Sequence, residues 1–361
     1  MDPRIRAHAE LLVDHCTSVT AGENVLISAP TGAEALVVAL YGCIGERDAR
    51  PMTTWRNPRA SREYLRRVDP EEVRTSEHER AAMAESDVAI LIKGSRNASA
   101  GSDVPGETRT AAGRARQPVL AERLDTRWVI TQHPTAADAQ RAGMSTAAWT
   151  DYVYEATLAD WEDRRRRQRR IADVLEAGSE LRLVKGEATD LRFSIEGMGA
   201  YNDDGTENMP GGEVATVPVV DSVEGTVAFD LPALRHGREV EGAWLSFEEG
   251  EVVEYGAARN EEVLTAVLET DPGARRAGEF GIGTNEGIDR LCGNVLFDEK
   301  ARNTVHLALG AAVEACVPDG EEVNESAVHF DLLLDASEDS VVDVDGETIQ
   351  RDGRFWFEEG F

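Results

Sequence analysis

The stretch SDVAILIKG, residues 86–94, is a short apolar run that ends at a glycine. A run of this length predicts a buried strand. Two comparable runs, ENVLISAP at residues 23–30 and TRWVITQHP at residues 126–134, lie before and after it. Helical patterns at residues 34–46 and 71–85 lie between the first two of these runs in chain order, and strands separated by helices indicate parallel crossover units. We therefore expect the fold to begin with an N-terminal doubly wound α/β domain.

The sequence changes character after a long helical pattern at residues 154–177, which we interpret as a connecting helix. Short strand patterns separated by turns follow, and the last of them contain Asp-Gly pairs of the kind that close β-hairpins. The pattern predicts an N-terminal α/β domain with its connecting helix at residues 1–177. A strand-rich α+β domain is expected at residues 178–361.

Acidic side chains dominate the composition, with 68 acidic and 38 basic residues and a formal net charge of −30. They are spread along the chain rather than collected in a tail, which indicates a property of the whole surface. Concentrated salt screens such repulsion, because the Debye length at about 1 M salt is only ~3 Å. The composition therefore predicts a halophilic source, either archaeal or similarly salt-adapted.

The basic residues exclude nucleic acid as a partner, because they form no stripe that would neutralise phosphates. The one basic run, RRRRQRR at residues 164–170, lies in a helical pattern with acidic neighbours. Such a run is typical of a solvated helix face.

The N-terminus carries charged residues where a signal peptide needs an apolar run. No stretch approaches the ~20 apolar residues of a membrane-spanning helix. We therefore expect a cytoplasmic protein with no membrane partner. The spacing of the cysteines indicates neither a zinc knuckle nor a disulfide framework. The four cysteines are Cys16, Cys43, Cys292 and Cys316.

The stretch NESAVHFDLLLD, residues 324–335, has the pattern of an apolar strand that also carries an imidazole and a carboxylate. Because strand side chains alternate between faces, His329 and Asp331 share one face, and Phe330 and Leu332 share the other. An unpaired carboxylate and imidazole inside a core are costly unless hydrogen bonds, a counter-charge or a metal ion satisfy them. The polar pair therefore predicts a partner on its face of the strand.

Four further side chains have a similar apolar setting in the second half of the chain. Glu213 begins an apolar strand, Glu279 lies among glycines, Glu299 ends a strand pattern, and His306 lies inside the apolar run TVHLALG. Carboxylate oxygens mixed with imidazole nitrogens suit zinc, cobalt or manganese, and three or more carboxylates can neutralise two dications. Internal salt bridges and hydrogen bonds are the alternative explanation for the same residues.

Several stretches, taken in order, resemble the signature segments of the thermophilic-type metal aminopeptidase family. The N-terminal segment at residues 9–30 is similar to that family too, so the resemblance covers nearly the whole chain. The stretches that carry it are ENMPGGEVATVPVVDSVEGT at residues 207–226, GEFGIGTN at residues 278–285, LFDEK with HLALG at residues 296–310, and NESAVHFDLL at residues 324–333.

The resemblance implies a homodimeric, metal-dependent aminopeptidase that removes N-terminal residues from short peptides by means of a water activated by two metals. It implies two divalent ions per chain, of zinc, cobalt, manganese or magnesium. Glu279 would be the bridging or base-like catalytic carboxylate. The ligand set that the resemblance implies is Glu213, Glu279, Glu299, His306, His329 and Asp331.

The chain departs from the family pattern at one position. In the family a tyrosine follows the histidine of HLALG by seven residues and is assigned to stabilise the tetrahedral oxyanion, and Val313 stands there in this chain. Valine has no hydrogen-bond donor, and the loss of one oxyanion donor costs about 10²- to 10³-fold in turnover. Tyr201 and Tyr255 are the candidate substitutes by sequence.

Two alternatives to an aminopeptidase stay open. One is a non-peptidase metal enzyme of the same fold, such as an iron-dependent hydroxypyridine ring-cleaving dioxygenase, which has a histidine where Glu279 stands. The other is a catalytically impaired metal or peptide binder, which Val313 would explain. Glu279, Glu299 and His306 together favour two hydrolytic metals over one iron.

Overall fold

The computed structural model describes residues 2–97, 100–235 and 238–361. The chain divides into two compact units. Unit 1 consists of Met1–Ala159 with Gly205–Pro210, and unit 2 consists of Asp160–Asp204 with Gly211–Phe361. Residues 160–177 therefore belong to unit 2. The division into folding domains at residues 177 and 178 stays a prediction.

Unit 1 is built on a five-stranded parallel sheet with the strand order β2-β1-β3-β4-β8. Its strands are β1 (Asn24–Pro30), β2 (Arg50–Arg56), β3 (Val88–Lys93), β4 (Arg127–Gln132) and β8 (Asn208–Met209). Its α-helices are α1 (Pro3–Leu11), α2 (Glu34–Gly45), α3 (Pro58–Leu65), α4 (Glu77–Ala84), α5 (Gly106–Leu124), α6 (Ala136–Arg141) and α7 (Thr146–Thr157).

The three apolar runs of the sequence form β1, β3 and β4 of this sheet. All five side chains from Val88 to Ile92 in β3 are buried. Since strand side chains alternate between faces, both faces of the sheet are covered at β3. The predicted doubly wound α/β architecture is confirmed for the first part of the chain.

The edge strand β8 reaches unit 1 from a later part of the sequence. Its pairing with β4 includes a hydrogen bond of 2.8 Å from the Ile130 amide to the Glu207 carbonyl. The hydroxyl of Thr131 also donates to the Met209 carbonyl at 2.8 Å. The sequence pattern alone did not indicate this strand.

The helical pattern at residues 154–177 forms parts of two helices, so the predicted single connecting helix was wrong. Helix α7 ends at Thr157, and Leu158 leaves the helical region with φ −90° and ψ 60°. Asp160 then caps α8 (Trp161–Ala177) by accepting a hydrogen bond from the Asp163 amide at 3.0 Å. A capping aspartate satisfies free amides at a helix start, and it therefore favours a new helix here.

Unit 2 contains two antiparallel sheets and a two-stranded hairpin. The eight-stranded sheet has the order β14-β13-β10-β6-β5-β18-β19-β20, and the five-stranded sheet has the order β17-β16-β15-β9-β7. The strands are β5 (Glu180–Lys185), β6 (Thr189–Ser194), β7 (Ala200–Asn202), β9 (Glu213–Thr216), β10 (Glu224–Ala228), β11 (Ala233–Arg235), β12 (Arg238–Val240), β13 (Trp244–Glu248), β14 (Glu251–Gly256), β15 (Ala277–Gly283), β16 (Thr304–Gly310), β17 (His329–Asp335), β18 (Ser340–Val344), β19 (Glu347–Arg351) and β20 (Arg354–Phe355). Two more helices, α9 (Glu261–Leu268) and α10 (Val295–Asp298), join α8 in this unit.

The Asp-Gly pairs near the C-terminus close hairpins, as the sequence predicts. Asp345 and Gly346 join β18 to β19 with φ values of 51° and 82°. Asp352 and Gly353 join β19 to β20 with φ values of 47° and 72°. Two consecutive positive φ angles are the requirement of the tight hairpin turn that Asp-Gly favours.

The two sheets of unit 2 and helix α8 share one apolar core. Phe193 of the eight-stranded sheet and Phe280 of the five-stranded sheet meet there with their ring centroids 5.4 Å apart. Leu307 and Leu332 belong to the same core. The five-stranded sheet therefore has one face committed to packing, which leaves its other face for polar side chains.

In the described part of the chain, no helix combines the length and the apolar character needed to span a bilayer.

Candidate metal centre

The polar face of the five-stranded sheet carries two groups of side chains that could hold a metal ion. One group consists of Glu213, Glu279 and His306, and the other consists of Glu279, His329 and Asp331. Within each group, one ligand atom per residue lies within 4.8 Å of the others. Glu279 belongs to both groups. Five of the six predicted ligands therefore lie together, although they come from four strands.

Strand register explains how distant residues meet. Glu279 in β15 pairs with Ala308 in β16, and Ala308 pairs with Asp331 in β17. Directly paired residues of antiparallel strands point to the same face. The small side chain of Ala308 therefore separates two carboxylates on one row of the sheet. Glu213 begins β9 and pairs with Gly283 on the other side of β15.

The group at β17 is oriented through the histidine. His329 Nε2 lies 3.1 Å from Glu279 Oε2 and 3.2 Å from Asp331 Oδ1. Its Nδ1 lies 3.0 Å from the carbonyl oxygen of Ala311, so Nδ1–H donates and Nε2 faces the carboxylates. A carbonyl behind the ring in this way fixes the tautomer of a metal-binding histidine.

The second group is more deeply buried. His306 Nε2 lies 3.7 Å from Glu213 Oε2 and 3.6 Å from Glu279 Oε1, too far for good hydrogen bonds. Two ligands held at about 2.1 Å by one tetrahedral ion stand roughly 3.4 Å apart. Glu213 Oε2 is buried and has no hydrogen-bond partner among the described residues. The donor set, its spacing and this orphaned oxygen fit a divalent cation.

The charges of the two groups depend on one another. Burial is the main influence on Glu213 and raises its pKa to about 8. Burial acts in the same direction on Glu279, but the attraction of the neighbouring His306 and His329 imidazoles outweighs it and lowers the pKa of that carboxyl. Burial disfavours both imidazolium ions, yet the nearby carboxylates raise the pKa of His306 to about 9 and that of His329 to about 12. The polar face therefore attracts positive charge.

Glu299 is the sixth predicted ligand, and it lies at the margin of these groups. It follows the short helix α10, so the prediction that it ends a strand was wrong. The helix forms because the amides of Phe297 and Asp298 bond back to the Asn294 carbonyl at 2.8 and 3.0 Å. The carboxylate of Glu299 contacts the ammonium of Lys300.

Lys300 was not recognised from the sequence. Its side chain is 0% exposed, and Nζ lies 2.9 Å from Glu213 Oε1 and 3.4 Å from Asp203 Oδ2. Only its position directly after Glu299, and the rarity of lysine in this arginine-rich chain, could have drawn attention to it. Lys300 thus contacts both Glu299 and Glu213.

A comparison with known families assigns the chain. The family described as "Thermophilic metalloprotease (M29)" matches residues 1–356. The chain belongs to this family. The prediction made from the signature stretches is confirmed at this level, and membership of a metalloprotease family implies the use of divalent metal.

Curated relatives of this chain carry aminopeptidase names. Aminopeptidase 2 of Geobacillus stearothermophilus is 30% identical, with 97% of each chain covered. Aminopeptidase T of Thermus aquaticus is 32% identical, with 67% of each chain covered.

Solved structures show the same architecture. Wild-type AmpT from Thermus thermophilus is similar with a TM-score of 0.87 and 26% identity, over 98% of this chain and 99% of that one. This similarity agrees with the predicted fold class. A 2,5-dihydroxypyridine dioxygenase from Pseudomonas putida is similar with a TM-score of 0.61 and 14% identity, over 99% of each chain. At that identity the likeness shows the fold alone.

Val313 stands where the family resemblance places a tyrosine, and it precedes a short 3-10 helix. Val313 packs against a small apolar cluster that contains Met198, Val217 and Cys316, and Tyr201 packs against the same cluster. The charges of Glu279 and Glu213 help to raise the pKa of the Cys316 thiol to about 12, after burial as the main cause. Tyr201 itself pairs with Ala215 in β9, and Ala215 pairs with Gly281 in β15, so strand register places Tyr201 on the polar face.

Tyr255, the other candidate substitute, has a different environment. Its hydroxyl bonds to the Thr265 hydroxyl at 3.2 Å, and its ring packs against the main core of unit 2. Of the two tyrosines, Tyr201 is the one that shares a cluster with Val313.

Proposed function

We propose that this protein is a metal-dependent aminopeptidase, a hydrolase that removes N-terminal residues from short peptides with two divalent metal ions. The observation that carries the proposal is the pair of ligand groups that share Glu279 on one sheet face. Membership of the metalloprotease family and relatives named as aminopeptidases support the same activity.

The two groups assign ligands to two positions. Glu213, Glu279 and His306 would hold one ion, and Glu279, His329 and Asp331 would hold the other. Glu299 would contribute from the margin of the first position, beside Lys300. Divalent ions bound there would supply Lewis-acid polarisation of the peptide carbonyl and a nucleophilic water at neutral pH. Zinc, cobalt, manganese and magnesium are the candidate metals.

The residues of the chain would have distinct parts in the reaction. Glu279 would bridge the two positions, and its carboxylate is the one nearest to the Nε2 atoms of both histidines. The Ala311 carbonyl holds the His329 ring so that Nε2 faces the site. The acidic surroundings favour the free α-amine of a peptide, which would account for selection of N-termini.

The assembly and the cellular setting are further parts of the proposal. The family resemblance supports a homodimer. The net charge of −30 supports a salt-adapted source, since self-repulsion destabilises such a surface and salt screens it. A cytoplasmic location is the last part of the proposal.

The decisive experiment measures release of free amino acid from unblocked dipeptides and tripeptides. The protein is freed of metal, supplied with zinc, cobalt, manganese or magnesium in turn, and assayed in concentrated salt. We expect turnover with at least one metal, two ions per chain, and no release from N-acetylated peptides. Absence of turnover while two ions are bound would contradict the proposal. Oxygen uptake with a dihydroxypyridine would identify the protein as a dioxygenase instead.

A further inference from the structure

Lys300 is an ammonium ion enclosed by carboxylates. Its side chain has no exposed surface, and its Nζ contacts Glu299, lies 2.9 Å from Glu213 Oε1 and lies 3.4 Å from Asp203 Oδ2. Burial opposes the charge, but the three surrounding carboxylates favour it. Lys300 is therefore a fixed cation inside the protein.

The two carboxylate oxygens of Glu213 have different surroundings. Oε1 receives a hydrogen bond from Lys300. Oε2 is buried without a hydrogen-bond partner among the described residues and lies 3.7 Å from His306 Nε2. The lysine therefore occupies one oxygen and directs the other toward the histidine. This arrangement favours a carboxylate that offers a single oxygen to a cation.

The other ligand group has no comparable contact. Within the described ranges, the polar contacts of Lys300 involve none of Glu279, His329 and Asp331. Orientation at that group comes from the neutral Ala311 carbonyl, which accepts from His329 Nδ1. One position is thus supported by a buried charge and the other by a backbone dipole.

We propose that Lys300 is the positioning residue of one metal position, the position formed by Glu213, Glu279 and His306, and that it makes the two positions unequal in affinity. The inference rests on the proposed two-metal function. Removal of Lys300 would free Glu213 to rotate, and the ion at that position would lose a preorganised ligand. The position at His329 and Asp331 would keep its ligands and their orientation.

Asp203 allows the test to be made without a change in net charge. It is 0% exposed and pairs with Lys300, so Lys300→Met combined with Asp203→Asn removes one buried positive and one buried negative group. The matched control is Lys185→Met combined with Asp230→Asn. That pair is a second lysine–aspartate contact of unit 2, and it is partly exposed.

The experiment titrates Co²⁺ into the metal-free proteins and follows heat and visible absorption. We expect two steps in the wild type and in the control. In the Lys300 double variant we expect the affinity of one step to fall by about 10- to 100-fold, which is the usual effect of losing a residue that hydrogen-bonds to a metal ligand. The other step should keep its affinity. This readout does not depend on peptide hydrolysis.

The outcomes separate this inference from the proposed function. Two unchanged steps in a variant that melts cooperatively would overturn the role of Lys300, and so would equal weakening of both steps. A wild type that binds fewer than two ions per chain would overturn the two-metal function itself, whereas two ions bound in a single step of equal affinity would overturn only the inequality. Should the double variant fail to fold, Lys300→Gln replaces it, because glutamine keeps a polar group in the interior but is uncharged and one bond too short to hold Glu213 Oε1, so the same single step must weaken.

Discussion

The imidazole of His306 lies over the α-carbon of Gly281. A Cβ built on Gly281 would lie 2.1 Å from Cε1 and 2.3 Å from Nε2 of that ring. Gly281 and His306 are direct partners on β15 and β16. The absence of a side chain at residue 281 is therefore what gives the histidine its place.

Gly281→Ala should displace the His306 ring. We expect a loss of about 1–3 kcal/mol in folding stability from overpacking, and metal binding weakened by about tenfold or more as a ligand moves. Chemical unfolding and metal titration measure the two effects. Gly113→Ala is the control, because that exposed helical glycine has open space around it and the change should stabilise the helix by roughly 0.5–1 kcal/mol. Retained metal affinity in Gly281→Ala would contradict the prediction.

Glu279→Gln should affect both metal positions, because this carboxylate belongs to both ligand groups. We expect kcat/KM to fall by about 10³-fold or more, since one oxyanion or ligand contact alone is worth about 10²- to 10³-fold. Metal content per chain should fall as well. Peptide hydrolysis and elemental analysis provide the measurements. The exposed Glu254→Gln variant on β14 should match the wild type. Full activity in Glu279→Gln would remove this residue from the reaction.

Tyr201→Phe should reveal whether a hydroxyl near Val313 takes part in turnover. Both side chains pack on the cluster that contains Cys316, and valine offers no donor. We expect kcat to fall by about 10²-fold with little change in KM, as for the loss of an oxyanion donor. Tyr255→Phe, whose hydroxyl bonds to Thr265, should leave kcat unchanged. Equal kcat in both variants would exclude Tyr201 as the donor.

His8 should make unit 1 sensitive to acid. Its Nε2 lies 2.7 Å from the Thr131 hydroxyl, which gives its own proton to the Met209 carbonyl. Nε2–H is therefore the donor, and Nδ1 is buried without a hydrogen-bond partner among the described residues. A second proton on the ring would have to bind Nδ1, where the described residues offer it no acceptor. Burial lowers the pKa of His8 to about 3.

A histidine with a lowered folded-state pKa contributes full stability above its unfolded pKa of about 6.5 and loses it as the pH falls toward the folded value. At pH 5 this loss is roughly 2 kcal/mol. We expect urea unfolding at pH 7 and pH 5 to show a smaller decrease in stability for His8→Gln than for the wild type. Parallel decreases in the two proteins would show that His8 does not titrate on unfolding.

Added salt should stabilise the protein. With 68 acidic and 38 basic residues, the surface repels itself at low ionic strength. We expect Tm to rise when KCl is raised from about 0.1 M, where the Debye length is ~10 Å, to about 1 M, where it is ~3 Å. NaCl should act equally at the same ionic strength. A Tm that is constant or falls with salt would argue against salt adaptation.

The sequence predicts the local parts of this fold well. Alternation of side chains in β17 separates His329 and Asp331 from Phe330 and Leu332, and the structure places the two sets on different faces. Strand alternation depends only on neighbouring residues, so it is visible in the sequence. The break after Thr157 was missed because Leu158 and Asp160 interrupt a pattern whose apolar spacing continues.

The assembly of the site depends on contacts that one segment cannot reveal. The row of Glu279, Ala308 and Asp331 follows from strand register, which joins residues far apart in the chain. From the sequence alone, Glu279 could be grouped with Asp331 only through the family resemblance. Lys300 shows the same limit, because a lysine is expected at the surface and its burial depends on Asp203 and Glu213.

Residues 205–210 complete the sheet of unit 1, although unit 2 supplies the chain on both sides of them. A gene fragment that stops at residue 159 would therefore encode the sheet with a bare edge at β4. Unpaired strand edges promote aggregation. Recombinant production of this half on its own requires the missing hexapeptide to be grafted back, and a protease that cuts around residue 204 would damage both halves at once.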